Sequence, residues 1–237
     1  YKPGRRIARI EAFDDRVEEI ARNAHKWNIG VIVGIPHWVQ ITLERILEIH
    51  KIEHISEIWP ELELFVSGGA DYKAYVKSFD RLIGHPIKYM NTYLASEGMF
   101  AFQRNAEALG MQLLLDNGVF YEFVPFNANY FDENGSLKDD YIALTLNEVM
   151  PSVNYALVVT TNAGLWRYMI GDLVQFTNVE QREIILTGRI KQYLSLCGEH
   201  LSLDNINQAL DYVSKKLHVE ITEFTIYVNE DNMNHHW

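Results

Sequence analysis

In residues 62–91, LELFVSGGADYKAYVKSFDRLIGHPIKYMN, an apolar run at Leu62–Val66 stops at Ser67-Gly68-Gly69. A helical stretch follows to Leu82, and a second apolar run covers Ile87–Asn91. Short apolar runs bounded by Gly and Pro, with a helix between them, predict a strand–helix–strand unit and a largely parallel sheet. The pattern extends upstream. Gly30–Pro36 (GVIVGIP) reads as a buried strand, and Ile41–Lys51 as a helix. Ile7, Ile10, Phe13, Val17, Ile20 and Ala24 recur at three- and four-residue spacing, which predicts one helix over residues 6–26.

Downstream the pattern turns antiparallel. Asn117-Gly118 lies between Met111–Leu115 and Val119–Val124, and Asn-Gly between apolar runs predicts a hairpin. A second hairpin is expected from Asn154–Thr161, a turn at Asn162-Ala163-Gly164, and Leu165–Thr177. From Gly188 onward a short strand, a helix over Asp204–Leu217 and a strand over Glu220–Val228 suggest the start of a small α+β lobe. The fold class is therefore α/β: a parallel sheet with helices, then an antiparallel, barrel-like subdomain. The expected division is residues 1–187 as part of a large domain, and 188–237 as a hinge and the beginning of a C-terminal lobe.

Bulk properties narrow the function classes. The 237-residue chain has a net charge of −11, so it gains nothing from a phosphate backbone and nucleic acid is not an expected partner. A nucleotide stays open, because a small site needs only local donors. No apolar stretch is long enough to span a bilayer, and Tyr1–Arg6 lacks the apolar core of a signal peptide. The one cysteine, Cys197, fits a reducing compartment and reads as a small buried hydrophobe; the expected location is cytoplasmic. Without an initiator Met, the chain reads as a piece of a longer protein.

Four stretches carry candidate chemistry. Ser67-Gly68-Gly69-Ala70 ends a strand; it is either a tight turn or a place where a flat ring approaches the backbone closely. Asn91–Gly98 (NTYLASEG) gathers an aromatic, a hydroxyl and a carboxylate. Tyr93 can stack on a base, Ser96 can donate to a phosphate, and Glu97 can hold magnesium, since hard cations prefer carboxylate oxygen. The plain alternative is a solvated polar loop. Gly164–Asp172 (GLWRYMIGD) ends in an Asp that can accept from both ribose hydroxyls, or simply sits in a β-bulge. Gly188-Arg189-Ile190-Lys191 offers a forked donor for ribose or phosphate, or a plain linker with a surface Arg. In Gly34–Gln40, Trp38 reads as core rather than as the wall of an acid pocket and His37 as a loop residue rather than a general base, and the adjacent His235 and His236 are a poor metal pair on a strand.

Taken in order, these stretches resemble the adenylate-forming enzymes. That superfamily has a Gly-Gly-Ala-like adenine loop, an Asn-x-Tyr-Gly-x-Thr-Glu motif, a Tyr-x-x-Gly-Asp-like motif, and Gly-Arg-x-(Asp/Lys) with a Gly seven residues on. Here they correspond to Gly68–Ala70, Asn91–Glu97, Tyr168–Asp172, and Gly188–Lys191 with Gly198. Ala95-Ser96-Glu97, Gly164–Asp172 and Trp59–Glu63 are similar to the auxin-responsive Gretchen Hagen family of acyl-acid amido synthetases, in its bacterial form. Met169 departs from that family's second Arg and Leu94 from the superfamily's Gly. A phosphate loop ending in Lys, and a completed C-terminal lobe, are not found.

The resemblance implies an ATP- and Mg2+-dependent ligase. A small carboxylic acid would become an acyl-adenylate with loss of pyrophosphate, and an amine, typically an amino acid, would then displace AMP. It implies that Gly68, Gly69 and Ala70 line the adenine with Tyr93 against its face. Ser96 would meet a phosphate, Glu97 would hold magnesium, and Asp172 with Arg189 would bind ribose. Lys191 would mark the pivot of the small lobe. By itself the stretch is expected to be inactive. The alternatives are an acyl-CoA ligase, which shares the first half-reaction, and a non-catalytic acyl- or nucleotide-binding scaffold.

Overall fold

A computed structural model describes residues 1–69, 71–132, 135–190, 194–196, 199–201, 203–217, 219 and 221. The chain divides into two compact units, Tyr1–Met111 and Gln112–Trp237.

The first unit opens with helices α1 (Arg5–Ala8) and α2 (Phe13–Asn23), the latter running into a 3-10 turn at Ala24–Lys26. The single helix expected over residues 6–26 is thus broken. The amide of Ile10 closes back on the Ile7 carbonyl, and the Ile10 carbonyl accepts from the Arg16 guanidinium at 3.2 Å instead of from a fourth-next amide. Strand β1 (Val31–Gly34) leads into α3 (Pro36–His50). Pro36 stands in the first turn, where its missing N–H costs nothing. Strand β2 (Leu64–Gly68) is followed by a 3-10 turn at Tyr72–Tyr75, α4 (Val76–Ile83), β3 (Lys88–Ala95) and β4 (Gly98–Phe102). β1 pairs with β2 and β2 with β3, both in parallel, whereas β3 pairs with β4 antiparallel. The strand–helix alternation is therefore present as expected.

The core of this unit joins Leu43 and Ile46 of α3 to Phe65, Phe79, Leu82 and Ile83, with Trp59 and Leu62 beneath. Phe65 meets Phe79 edge-on at 5.0 Å, and the Trp59 indole N–H reaches the Ala24 carbonyl at 3.0 Å. Trp38 does not join this core. It is 50% exposed on α3, leaning on Phe13 at 5.8 Å, because the buried stripe of α3 runs through Leu43 and Ile46.

β5 (Met111–Leu113) begins at the boundary residue, and the second unit goes on with β6 (Val119–Pro125), β7 (Asn154–Thr161), β8 (Tyr168–Asn178) and β9 (Glu183–Arg189). Their order is β5-β9-β8-β7-β6, and β6–β7, β7–β8 and β8–β9 are antiparallel. The antiparallel subdomain is as expected, although among the described residues its strands run as an open series. The β7–β8 hairpin holds. The hairpin expected across Asn117-Gly118 does not form: β5 lies beside β9 and β6 beside β7. The local turn chemistry is present, since Gly118 has φ 75° and the Asn117 side chain accepts from the Val119 amide. A seven-pair ladder from Val119↔Thr161 to Pro125↔Tyr155 draws β6 away from the three-residue β5. β7 is buried on both faces, with Phe123, Tyr155 and Phe176 clustered on one and Val124, Ala156, Val158 and Leu173 on the other. A small hairpin of β10 (Leu194–Leu196) and β11 (Glu199–Leu201) precedes α5 (Leu203–Leu217), which matches the expected helix. The strand expected over 220–228, and Cys197, Gly198, His235 and His236, lie outside the described residues. No described helix is long and apolar enough to cross a membrane.

Gly84 ends α4 at φ 88°, and a Cβ there would stand 2.6 Å from His54 Cγ. Gly4 has a similar φ of 84° with nothing within 4 Å. Gly84→Ala is expected to destabilise by about 2 kcal/mol or more and Gly4→Ala by about 1 kcal/mol, measured by denaturant unfolding. Equal losses would contradict the His54 contact as the added cost.

Candidate functional site

Asn91–Gly98 is not a loop. β3 continues to Ala95, and Ala95 pairs with Gly98, so Ser96 and Glu97 form the two-residue turn of the β3–β4 hairpin. Register slips by one residue between Tyr93 and Leu94, where Phe100 is the extra residue on β4, which bends that strand just after the turn. Ser96 is exposed and Glu97 half-buried. Among the described residues, no hydrogen bond or ion pair engages either side chain. A free carboxylate at a hairpin tip suits an ion such as Mg2+, which keeps several waters and takes one or two protein oxygens plus phosphate. A closed cage is not offered: the described residues gather no group of three or more His, Cys, Asp or Glu.

Tyr93 is 3% exposed, its ring edge-on to Phe100 at 5.1 Å. The open stacking face that the sequence suggests is therefore taken up by packing.

The glycine turn is tied to this strand by side chains. The Thr92 hydroxyl donates to the Ser67 carbonyl at 2.9 Å, and a Cβ on Gly68 would touch Thr92 Oγ1 at 3.5 Å. Gly69 needs its glycine, with φ 80°. Ala70 lies outside the described residues. Asp71 caps the following 3-10 turn by accepting from the Lys73 amide and also accepts from Asn91 Nδ2 at 3.2 Å. The backbone of Asn91 is clamped by Gln103, whose Oε1 accepts from its amide and whose own amide donates to its carbonyl, each at 2.9 Å. Asn91 Oδ1 is shut off from solvent and has no hydrogen-bond partner. Leaving such an acceptor unmatched costs on the order of 1–3 kcal/mol. The sequence reading assigned Asn91 and Asp71 no role; the orphaned oxygen, which only coordinates reveal, is the signal.

In the second unit, β8 carries two extra residues where Ala156↔Leu173 gives way to Val158↔Met169. Gly171, at φ 88°, makes this bulge, and it places Asp172 opposite Arg189 on β9. Asp172 is 5% exposed and accepts from Arg189 Nε at 2.7 Å, while most of the Arg189 side chain stays in solvent. A nearly buried carboxylate whose charge is balanced by a mostly exposed guanidinium can also accept from hydroxyls. Lys191 lies outside the described residues.

The preceding turn is braced separately. Arg167 adopts φ 47°, an unusual value for a side-chain-bearing residue. It grips Glu122 with two 3.0 Å contacts, and its guanidinium lies 5.5 Å from the Tyr141 ring centre. The Glu122 hydrogen bond holds the Arg167 charge in place by raising its pKa further. A shallow hollow of about 480 Å3 beside this turn, lined by Phe120, Thr160 and Trp166 among others, contains none of the expected site residues.

Residues 112–184 match the GH3 family central domain. The chain is 25% identical over 212 residues to an indole-3-acetic acid-amido synthetase, GH3.17, of Arabidopsis thaliana, covering 77% of this chain and 34% of that protein. It spans about a third of the length of such curated relatives. In fold it is similar to the GH3.15 acyl acid amido synthetase, with TM-score 0.67, 14% identity, and coverage of 92% of this chain and 48% of that one. It is also similar in fold to a 2-hydroxyisobutyryl-CoA ligase solved with 2-HIB-AMP and CoA, with TM-score 0.53, 14% identity, and coverage of 83% and 42%.

A Cβ on Gly171 meets nothing within 4 Å, so only the backbone opposes substitution. Gly171→Ala should destabilise by about 1 kcal/mol and Gly171→Asn by less, since Asn tolerates positive φ. Denaturant unfolding that ranks the two the other way would contradict the assigned bulge conformation.

Proposed function

We propose, for a chain that belongs to the GH3 family within the adenylate-forming superfamily, that it is part of a ligase that converts a small carboxylic acid to an acyl-adenylate and then to an amide. In the first half-reaction a carboxylate oxygen attacks the α-phosphorus of ATP, and the bond to pyrophosphate breaks. In the second, the amine of an amino acid attacks the acyl carbon, the bond to AMP breaks, and the amine gives up a proton. Both steps need reactants held in line and charge matched on phosphate more than they need a protein nucleophile. The observation that carries this reading is the Gly171 bulge. It sets Asp172, buried and gripped by Arg189, within the residues matched to the family's central domain.

Residue by residue, Gly68, Gly69 and Ala70 receive the adenine, with the buried Tyr93 supporting the strand beside them and Asn91 Oδ1 accepting from the base's exocyclic amino group. Ser96 donates to a phosphate, and Glu97 holds the magnesium ion that offsets phosphate charge. Asp172 accepts from ribose hydroxyls with Arg189 assisting. In this reading residues 1–187 are part of the large domain, and the stretch from Gly188 is the hinge into a C-terminal lobe, with Lys191 at the pivot.

The test is pyrophosphate release by the complete protein, with ATP, magnesium and a panel of carboxylic acids, with and without amino acids. Acid-dependent release that an amino acid stimulates is expected. Stimulation by coenzyme A instead would assign a thiol acceptor, and ATP binding with no release from any acid would favour a binding scaffold. Asp172→Ala should weaken ATP binding by roughly tenfold to a hundredfold, the worth of about 1.4 to 2.8 kcal/mol in ribose hydrogen bonds. Unchanged affinity by calorimetry would remove Asp172 from the nucleotide site.

A further inference from the structure

A carboxylate accepts hydrogen bonds, and an amide nitrogen donates them. The 3.2 Å contact between Asp71 Oδ1 and Asn91 Nδ2 therefore fixes which way the Asn91 amide points. Its nitrogen faces Asp71, and its oxygen is turned away, sealed from solvent and without a partner. Rotating the amide by half a turn would set Oδ1 against the Asp71 carboxylate, two acceptors facing each other. Asp71 is itself pinned. Its Oδ1 also accepts from the Lys73 amide at 3.1 Å, and Lys73 Nζ stands 3.6 Å from its Oδ2. The Asn91 backbone cannot yield either, because Gln103 holds both its amide and its carbonyl. One residue on, Thr92 fastens the strand to Ser67 at the head of the glycine turn.

The geometry points to Asp71 as a positioning residue that makes the base site selective for a 6-amino purine over a 6-oxo purine. This rests on the adenylate-forming reading above, in which the glycine turn receives the base. The logic is a difference of affinities. With Asp71 in place, Asn91 offers an acceptor and only an acceptor. The amino group of adenine supplies the N–H that the orphaned oxygen lacks. The carbonyl oxygen of hypoxanthine or guanine would bring a second lone pair to it, leaving both oxygens unmatched. Solvent does not reach Oδ1, so a 6-oxo base set against it gains no hydrogen bond in return. Without Asp71 the amide is free to turn, present Nδ2 and accept a 6-oxo base. Asp71 touches neither base nor phosphate in this scheme and acts through Asn91.

The experiment compares ATP with ITP in the complete protein, as kcat/KM for acid-dependent pyrophosphate release and as affinity by calorimetry. It uses the unsubstituted enzyme, Asp71→Ala and Asp71→Asn. Both nucleotides are measured on one preparation, so the ATP-to-ITP ratio does not depend on how much of a variant is folded. The unsubstituted enzyme should favour ATP. In Asp71→Ala the ratio should fall by about tenfold or more. Asp71→Asn should restore most of it, because its side-chain oxygen can accept from Asn91 Nδ2 without the charge. A ratio in Asp71→Ala equal to that of the unsubstituted enzyme overturns the proposal, as does an unsubstituted enzyme that takes ATP and ITP equally well. An enzyme that binds neither nucleotide overturns the adenylate reading itself.

Discussion

Strand β3 is bonded on both edges, parallel to β2 on one side and antiparallel to β4 on the other, and the first unit's functional features hang from that constraint. The parallel edge sets Asn91 opposite Ser67 and Thr92 opposite Gly68, which brings the glycine turn and the head of the Asn91–Gly98 motif into one place. The antiparallel edge closes on Gly98 and so pushes Ser96 and Glu97 out at the tip of a hairpin. Neither edge alone would do this. A strand paired only in parallel would leave by a crossover, and one paired only with β4 would lose its hold on the glycine turn. The hydrogen bonds of Thr92 to Ser67 and of Gln103 to Asn91 then fix what the ladder brings together.

The second unit solves its positioning problem by other means. An antiparallel sheet alternates its side chains, so an Asp in a regular strand points into the core or straight out. The two extra residues around Gly171 break that alternation. Asp172 is left nearly buried yet directly across from Arg189, whose guanidinium balances its charge at the surface. Bulges recur where a sheet must re-aim a functional side chain, and their cost is a glycine in a conformation that other residues resist. Arg167 and Glu122 brace the turn just upstream, so the bulge is entered from a fixed direction.

Much of this was legible in the sequence because the signals were local. Leu62–Asn91 announces strand, turn, helix and strand through apolar periodicity and glycine, and the structure follows it. The β7–β8 hairpin was equally plain from its turn. What failed was set by partners distant in sequence. Asn117-Gly118 has the chemistry of a hairpin turn, but β6 finds a longer ladder on β7 than β5 can offer. The helix expected over residues 6–26 has unbroken periodicity, and a single guanidinium, that of Arg16, helps to interrupt it. Tyr93 looked like a platform for a base because aromatics stack, yet Phe100 from the facing strand covers it. The orientation of Asn91 depends on Asp71, twenty residues earlier, and no spacing rule connects them. Ala70 and Lys191, both expected in the site, lie outside the described residues.

Exchange of labelled pyrophosphate into ATP is the sharpest probe of the proposed acyl-adenylate chemistry. The exchange reports reversal of the first half-reaction and needs no amine. In the complete protein, exchange should depend on both magnesium and an acid, and adding the amine acceptor should suppress it by drawing off the adenylate. Turnover of an acid with no exchange in the absence of amine, or with ADP and phosphate in place of AMP and pyrophosphate as products, would contradict that chemistry.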